Sequence, residues 1–338
     1  MVLARPAAPK RRHGRFRQLI SLNNRMTLPP PSEAPPWFQR ALNEHSEPGT
    51  VKVNGVSIAY RTWGARGRPG IALVHGSNAH LEWWRFVAPF LADQFRVVAL
   101  DLSGNGDSGR RERYTGRDFA DEVWAACEAA ELGPRPFIVG HSFGGFVVLE
   151  TGHFYGAQLG GIILADFTVS PPEAYTEWGM RAAREGKTRR GTRVYSDIAT
   201  ALGRFRLIPE QPCQHPYVID HIARQSLRAV EGGWTWKFDP ALFDHLEMGA
   251  DQQDKFVALQ CRSALILGEH SEDSGAQSAQ YMAQLTDGAL PIVTIPETYH
   301  HMMFDEPLAT AMTIKAFVLA WIRDDRREQL QAALARLR

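Results

Sequence analysis

Eight short apolar runs, separated for the most part by longer amphipathic stretches, constrain this chain more than any other feature. They read "TVKV" (50–53), "VSIAYRTW" (56–63), "IALVHG" (71–76), "RVVALDL" (96–102), "FIVGHS" (137–142), "GIILADF" (161–167), "SALILGE" (263–269) and "PIVTIP" (291–296). Runs that are continuously apolar, rather than alternating with polar residues, mark strands buried on both faces. The stretches between them, such as "DFADEVWAACEAAEL" (118–132) and "FGGFVVLETGHFY" (143–155), carry helical spacing. Strands and helices in that alternation predict an α/β fold, a mainly parallel sheet with helices on both faces. The first two runs meet at Asn54-Gly55, which predicts an antiparallel hairpin at one edge. With 338 residues, 44% of them hydrophobic, the chain can fill a full core and an added subdomain.

Residues 168–255 break the alternation. They show no buried-strand pattern, but helical segments, prolines and aromatics (Tyr175, Trp178, Tyr217, Trp234, Trp236). A structureless loop of that length does not suit a compact domain, so a helical insertion is expected between the sixth and seventh runs. It would roof the carboxyl ends of the strands, where ligands of open parallel sheets bind. Residues 1–45 are basic and proline-rich, without an acid before Glu33, and read as a disordered extension outside the fold. That leaves 46–167 and 256–338 as the core.

The charges nearly cancel, at a formal net of +1, which argues against nucleic acid or an anionic membrane as the main partner. No apolar run approaches bilayer-spanning length. Cys127, Cys213 and Cys261 are scattered and odd in number, as befits reduced thiols in the cytoplasm. No HExxH or comparable spacing occurs, so neither a metal nor an organic cofactor is expected. No motif encodes an oligomeric state. The last segment, "RDDRREQLQAALARLR", is a helix candidate with Leu330, Ala333 and Leu337 at helical spacing.

"FIVGHSFGG" (137–145) is the most informative stretch. A buried strand ends at Gly140-His141-Ser142-Phe143-Gly144 and a helical pattern follows at once. This strand–turn–helix context gives GxSxG its meaning: the serine is pushed out of a strained turn, and glycines leave it room. A serine needs a base to become a nucleophile. "VTIPETYHHMMFDEP" (293–307) offers His300 and His301 on a loop after the last strand. On chemistry alone either serves.

These residues together resemble the α/β-hydrolase fold superfamily, in its form with a cap domain, over roughly residues 50–323. The resemblance rests on "HGSN", "DLSGNGDSG", "GHSFGG" and "HHMMFDEP", in that order. It implies an eight-stranded sheet with a helical cap after strand six, Ser142 as nucleophile and His300 as base. It also implies an oxyanion hole from the backbone N–H groups of Ser77 and Phe143. "GNGDSG" (104–109) is a literal GxGxxG, but a turn follows it instead of a helix; the family's structural loop headed by Asp101 explains it better.

The triad acid departs from the family's commonest pattern. An aspartate three residues beyond the glycine that ends strand seven is usual there, but Gly268-Glu269-His270-Ser271 presents a serine. Glu272 and Asp273 stand one and two positions late and remain alternatives. Asp166, at the end of strand six, matches the acid–Phe setting seen in some relatives, including a subgroup of haloalkane dehalogenases, and is the expected acid. For the pocket, Trp84 and Trp178 are candidates. The expected activity is hydrolysis of a carboxylic ester, or related acyl bond, of a small, largely apolar substrate through an acyl-enzyme. C–C bond hydrolysis, lyase or perhydrolase chemistry on the same triad, or a ligand receptor retaining the pocket, are the alternatives.

Overall fold

The computed structural model describes residues 34–175, 193–272 and 276–336. Its centre is an eight-stranded sheet: β1 (Glu47–Val53), β2 (Val56–Trp63), β3 (Gly70–Val74), β4 (Arg96–Leu100), β5 (Phe137–His141), β6 (Gly161–Ala165), β7 (Ser263–Gly268) and β8 (Ile292–Ile295). In space the order is β1-β2-β4-β3-β5-β6-β7-β8. From β4 to β8 every pairing is parallel, and only β2 runs against its neighbours. The β1–β2 turn is Asn54-Gly55, with φ of 48° and 82° at the two residues, as a two-residue hairpin of the primed type requires.

Among the described residues the α-helices are α1 (Pro36–Asn43), α2 (Gly116–Ala129), α3 (Phe143–Tyr155), α4 (Ile198–Leu202), α5 (Pro216–Gln225), α6 (Gln252–Val257), α7 (Ala276–Leu285), α8 (Met302–Asp305) and α9 (Pro307–Arg336). The central strands β3 to β6 are buried throughout, which is why their sequences lack alternation. Successive residues feed opposite cores. Leu73, Val97, Val139, Ile163 and Ile266 face one core with Trp84, Phe86, Phe304 and Trp321. Ala72, Val98, Ile138, Leu164 and Leu265 face the other, with residues of α2 and α3. The three cysteines are free thiols. Among the described residues no helix is long and apolar enough to cross a membrane.

Two expectations need correction. The boundary at residue 45 is too late, because α1 belongs to the fold. Proline starts this helix at no cost, since a first-turn N–H has no helical partner to lose. Phe38 and Ala41, three apart, then bury against the core. The Phe38 ring lies 5.4 Å from that of Phe86 and 4.9 Å from that of Tyr217 on α5, joining core to insertion. Residues 1–33 lie outside the described residues. Second, the insertion is not wholly helical. Leu227–Val230 and Gly233–Trp236 form an antiparallel hairpin, and Leu246–Glu247 pairs in parallel with Tyr114–Thr115. These strands are half-exposed and only two to four residues long, so no buried-strand pattern announces them.

Phe38→Ala should cost roughly 3–5 kcal/mol, the usual loss for a buried phenylalanine. Urea unfolding of the full chain checks it. A loss under about 0.5 kcal/mol, typical of surface changes, would return α1 to the exterior.

Candidate active site

Ser142 sits between β5 and α3 with φ 55° and ψ −124°, a strained conformation for a residue with a side chain. The surrounding glycines make it possible. A Cβ on Gly140 would meet the Gly144 carbonyl oxygen at 2.1 Å, and one on Gly144 would meet the carbonyl oxygens of Val74 and His75 at 2.6 Å. The turn is tied down by Ser142 N–H donating to Ala165 O at 2.9 Å and Gly145 N–H to Ser142 O at 2.7 Å.

Three side chains meet in line at the carboxyl edge of the sheet. Ser142 Oγ lies 2.9 Å from His300 Nε2, and His300 Nδ1 lies 2.6 Å from Asp166 Oδ2. Asp166 has φ 50° and is 1% exposed. Its Oδ1 accepts from Gly268 N–H at 3.1 Å and its Oδ2 from Ser271 Oγ at 2.5 Å. Ser271, standing where the usual pattern has an aspartate, therefore serves the carboxyl group one strand over. Glu272 is exposed, and Asp273 lies outside the described residues. With Nδ1–H given to the carboxyl group, the lone pair on Nε2 can accept the serine proton.

Gly76 packs on this turn: a Cβ there would come within 3.1 Å of Ser142 Cβ. Among the described residues neither the Ser77 nor the Phe143 N–H has a protein acceptor. His75 is structural. Its Nδ1–H donates to Gly76 O at 2.8 Å and its Nε2 accepts from Leu102 N–H at 3.0 Å, while burial pushes its pKa down to about 4. Asp101 is equally internal, accepting from Leu81 N–H at 2.6 Å and Asp107 N–H at 2.8 Å, and burial raises its pKa to about 7. A Cβ on Gly106 would strike that carboxyl group at 2.1 Å, and one on Gly104 would meet the Tyr114 hydroxyl at 2.7 Å, so both glycines pack against side chains of the protein itself.

Trp84 corrects the pocket expectation: it is fully buried in the core layer. The neighbouring Trp83 faces the site, its ring 5.3 Å from His301 and 6.3 Å from His141. Trp178 lies outside the described residues. Sequence reasoning missed His141, whose Nε2–H donates to His300 O at 2.8 Å across 159 residues. Burial, and then the nearby His300, hold His141 well below the ordinary value; burial takes His301 to about 3. Ring nitrogens of His141, His300 and His301 lie within 4.8 Å of one another. A shared metal ion would need a lone pair from each, and His300 has none to give without breaking its bonds to Ser142 and Asp166.

A parallel sheet with a strained serine, an imidazole and a carboxyl group along its carboxyl edge defines the α/β-hydrolase class. The chain belongs to the alpha/beta hydrolase family, whose model matches residues 71–313. Over 283 residues it is 23% identical to the 2-(acetamidomethylene)succinate hydrolase of Mesorhizobium japonicum, covering 82% of this chain and 96% of that one. The proline iminopeptidase PfmaB of Pestalotiopsis fici is 30% identical over 119 residues, 34% of this chain, and the match spans only 42% of that enzyme. A solved esterase of M. tuberculosis superposes with a TM-score of 0.67 at 18% identity, over 83% of this chain and 96% of that one. That likeness concerns the fold.

His75 gives a pH test. Its ordinary pKa is 6.5 and its folded value about 4. Above 6.5 both states are neutral and the full stability is present. As pH falls towards 4 the unfolded chain takes up a proton that the fold refuses, and stability drops. His75→Asn removes that loss. Its stability deficit against wild type should therefore shrink by roughly 2 kcal/mol between pH 7 and pH 5, read by urea unfolding at both. A constant deficit would refute the buried neutral ring.

Proposed function

We propose that this protein is a serine hydrolase that cleaves a carboxylic ester, or a related acyl bond, of a small and largely apolar substrate. The observation that carries the reading is the unbroken hydrogen-bonded line Ser142–His300–Asp166, built on a strained turn. His300 Nε2 takes the Ser142 proton as Oγ attacks the carbonyl carbon, and Asp166 stabilises the imidazolium that forms. The Ser77 and Phe143 amides donate to the oxyanion, aided by the positive end of α3. The imidazolium protonates the leaving alcohol, giving the acyl-enzyme; water, deprotonated by His300, then releases the acid and restores Ser142.

Residues 168–255 act as the cap. An apolar substrate is supported by aromatic contacts beside the nucleophile: the Phe143 ring meets that of Phe243, from the insertion, at 5.3 Å, and Phe167 packs over Gly145. Hydrolysis is supported by the hydrolase among the relatives that the chain matches over most of its length.

A fluorophosphonate probe tests the reading without knowledge of the natural substrate. Wild type should label at one serine and Ser142→Ala not at all. Asp166→Asn should slow labelling by about 10³–10⁴-fold, the loss seen when a triad histidine is left in the wrong tautomer, and Glu272→Gln should leave it unchanged. Short-chain aryl esters then test turnover. Labelled protein that leaves every ester intact would move the assignment to another bond class, and unlabelled folded wild type would overturn it.

A further inference from the structure

The backbone on both sides of His300 is held by side chains, and one of them comes from the insertion. Tyr299 N–H donates to Asp305 Oδ2 at 2.8 Å, and His301 N–H donates to Gln211 Oε1 at 2.7 Å. The two holders are bound to each other: Gln211 Nε2 donates to Asp305 Oδ1 at 3.1 Å and Oδ2 at 2.9 Å. Gln211 lies between α4 and α5, in the insertion, whereas Asp305 ends α8. The amide group thus uses both ends at once. No other residue type of that length offers an acceptor and two donors on one planar group without charge.

We infer that Gln211 is a positioning residue for His300, so that the base lines up with Ser142 and Asp166 only while the insertion is seated on the core. This rests on the serine-hydrolase reading above. Because substrate would enter beneath the insertion, its seating and the readiness of the base become one event. Misplacing a base by an ångström costs about 10²-fold, so a single amide suffices as the link.

Labelling by a fluorophosphonate from pH 6 to 8 separates a positioning role from a merely structural one. Gln211→Leu removes all three bonds and should slow labelling at least about tenfold at every pH. Gln211→Glu keeps the acceptor for His301 N–H but sets a second carboxyl group against Asp305, with Glu306, Cys213 and His301 as the other ionisable groups around it. At pH 8 both carboxyls are charged and the link opens. Towards pH 6 a proton shared between them replaces the lost Nε2–H, so the ratio of variant to wild-type rate should rise several-fold. A ratio that stays flat for Gln211→Glu, or wild-type rates for Gln211→Leu, would overturn the inference. Wild type that does not label would instead overturn the hydrolase reading beneath it.

Discussion

The carboxyl group of Asp166 is the constraint around which this site is arranged. It is almost completely buried, and a carboxylate taken from water costs several kcal/mol unless its oxygens are met by donors. Three donors come from three places: the Gly268 amide, the Ser271 hydroxyl and the His300 ring. The first two depend on register. β6 and β7 pair with Ala165 opposite Ile266, so Asp166 emerges from its strand level with the end of the next. The third depends on the β8 loop folding back over the same edge. Losing one donor would leave part of a buried carboxyl group unmet, so the acid, the strand ends and the histidine loop have to be correct together.

Three histidines crowd this corner, all of them buried, and their hydrogen-bond partners tell them apart. In the mechanism proposed above the base becomes cationic as the serine proton arrives, and a second cation alongside would oppose it. His141 and His301 have their rings 5.0 and 4.9 Å from that of His300. Burial keeps both neutral, so beside the imidazolium of the proposed step they would be polarisable walls and not rival charges. Trp83 completes the enclosure, packing on Phe304 with ring centroids 4.6 Å apart. Only His300 has a carboxyl group on one nitrogen and a hydroxyl on the other. Position along the chain does not distinguish His300 from His301, but their partners do.

Local covalent geometry explains why so much of the site could be read from the chain. A serine at φ 55° demands small neighbours within the same turn, and GxSxG is that demand written in sequence. Strands buried on both faces must be apolar throughout, so β3 to β6 stand out as runs. Asp166 was legible by contrast, because Ser271 occupies the place where an acid is usual. Features without a local requirement left no such mark. The hairpin strand "LRAV" buries one residue fully and "GWTW" likewise, too few to make a pattern. In α1 a proline-rich basic prefix hides an eight-residue helix whose claim to the core is Phe38 and Ala41. Trp83 and Trp84 are adjacent, identical in type and both buried, and nothing in the sequence shows that only Trp83 has its ring against His141 and His301.

Long-range hydrogen bonds are the extreme case. His141 reaches the His300 carbonyl across 159 residues, and Gln211 reaches the His301 amide across 90. Nothing near either residue in the chain needs it to be a histidine or a glutamine. Each is specified only by where a distant backbone group comes to rest. A parallel sheet makes such dependence unavoidable, because every neighbouring strand is joined through a crossover and the loops at one edge come from widely separated parts of the chain. The same topology that gathers serine, histidine and acid at one edge therefore hands the task of aiming them to residues that carry no motif. An insertion placed over that edge is well situated to supply one of them.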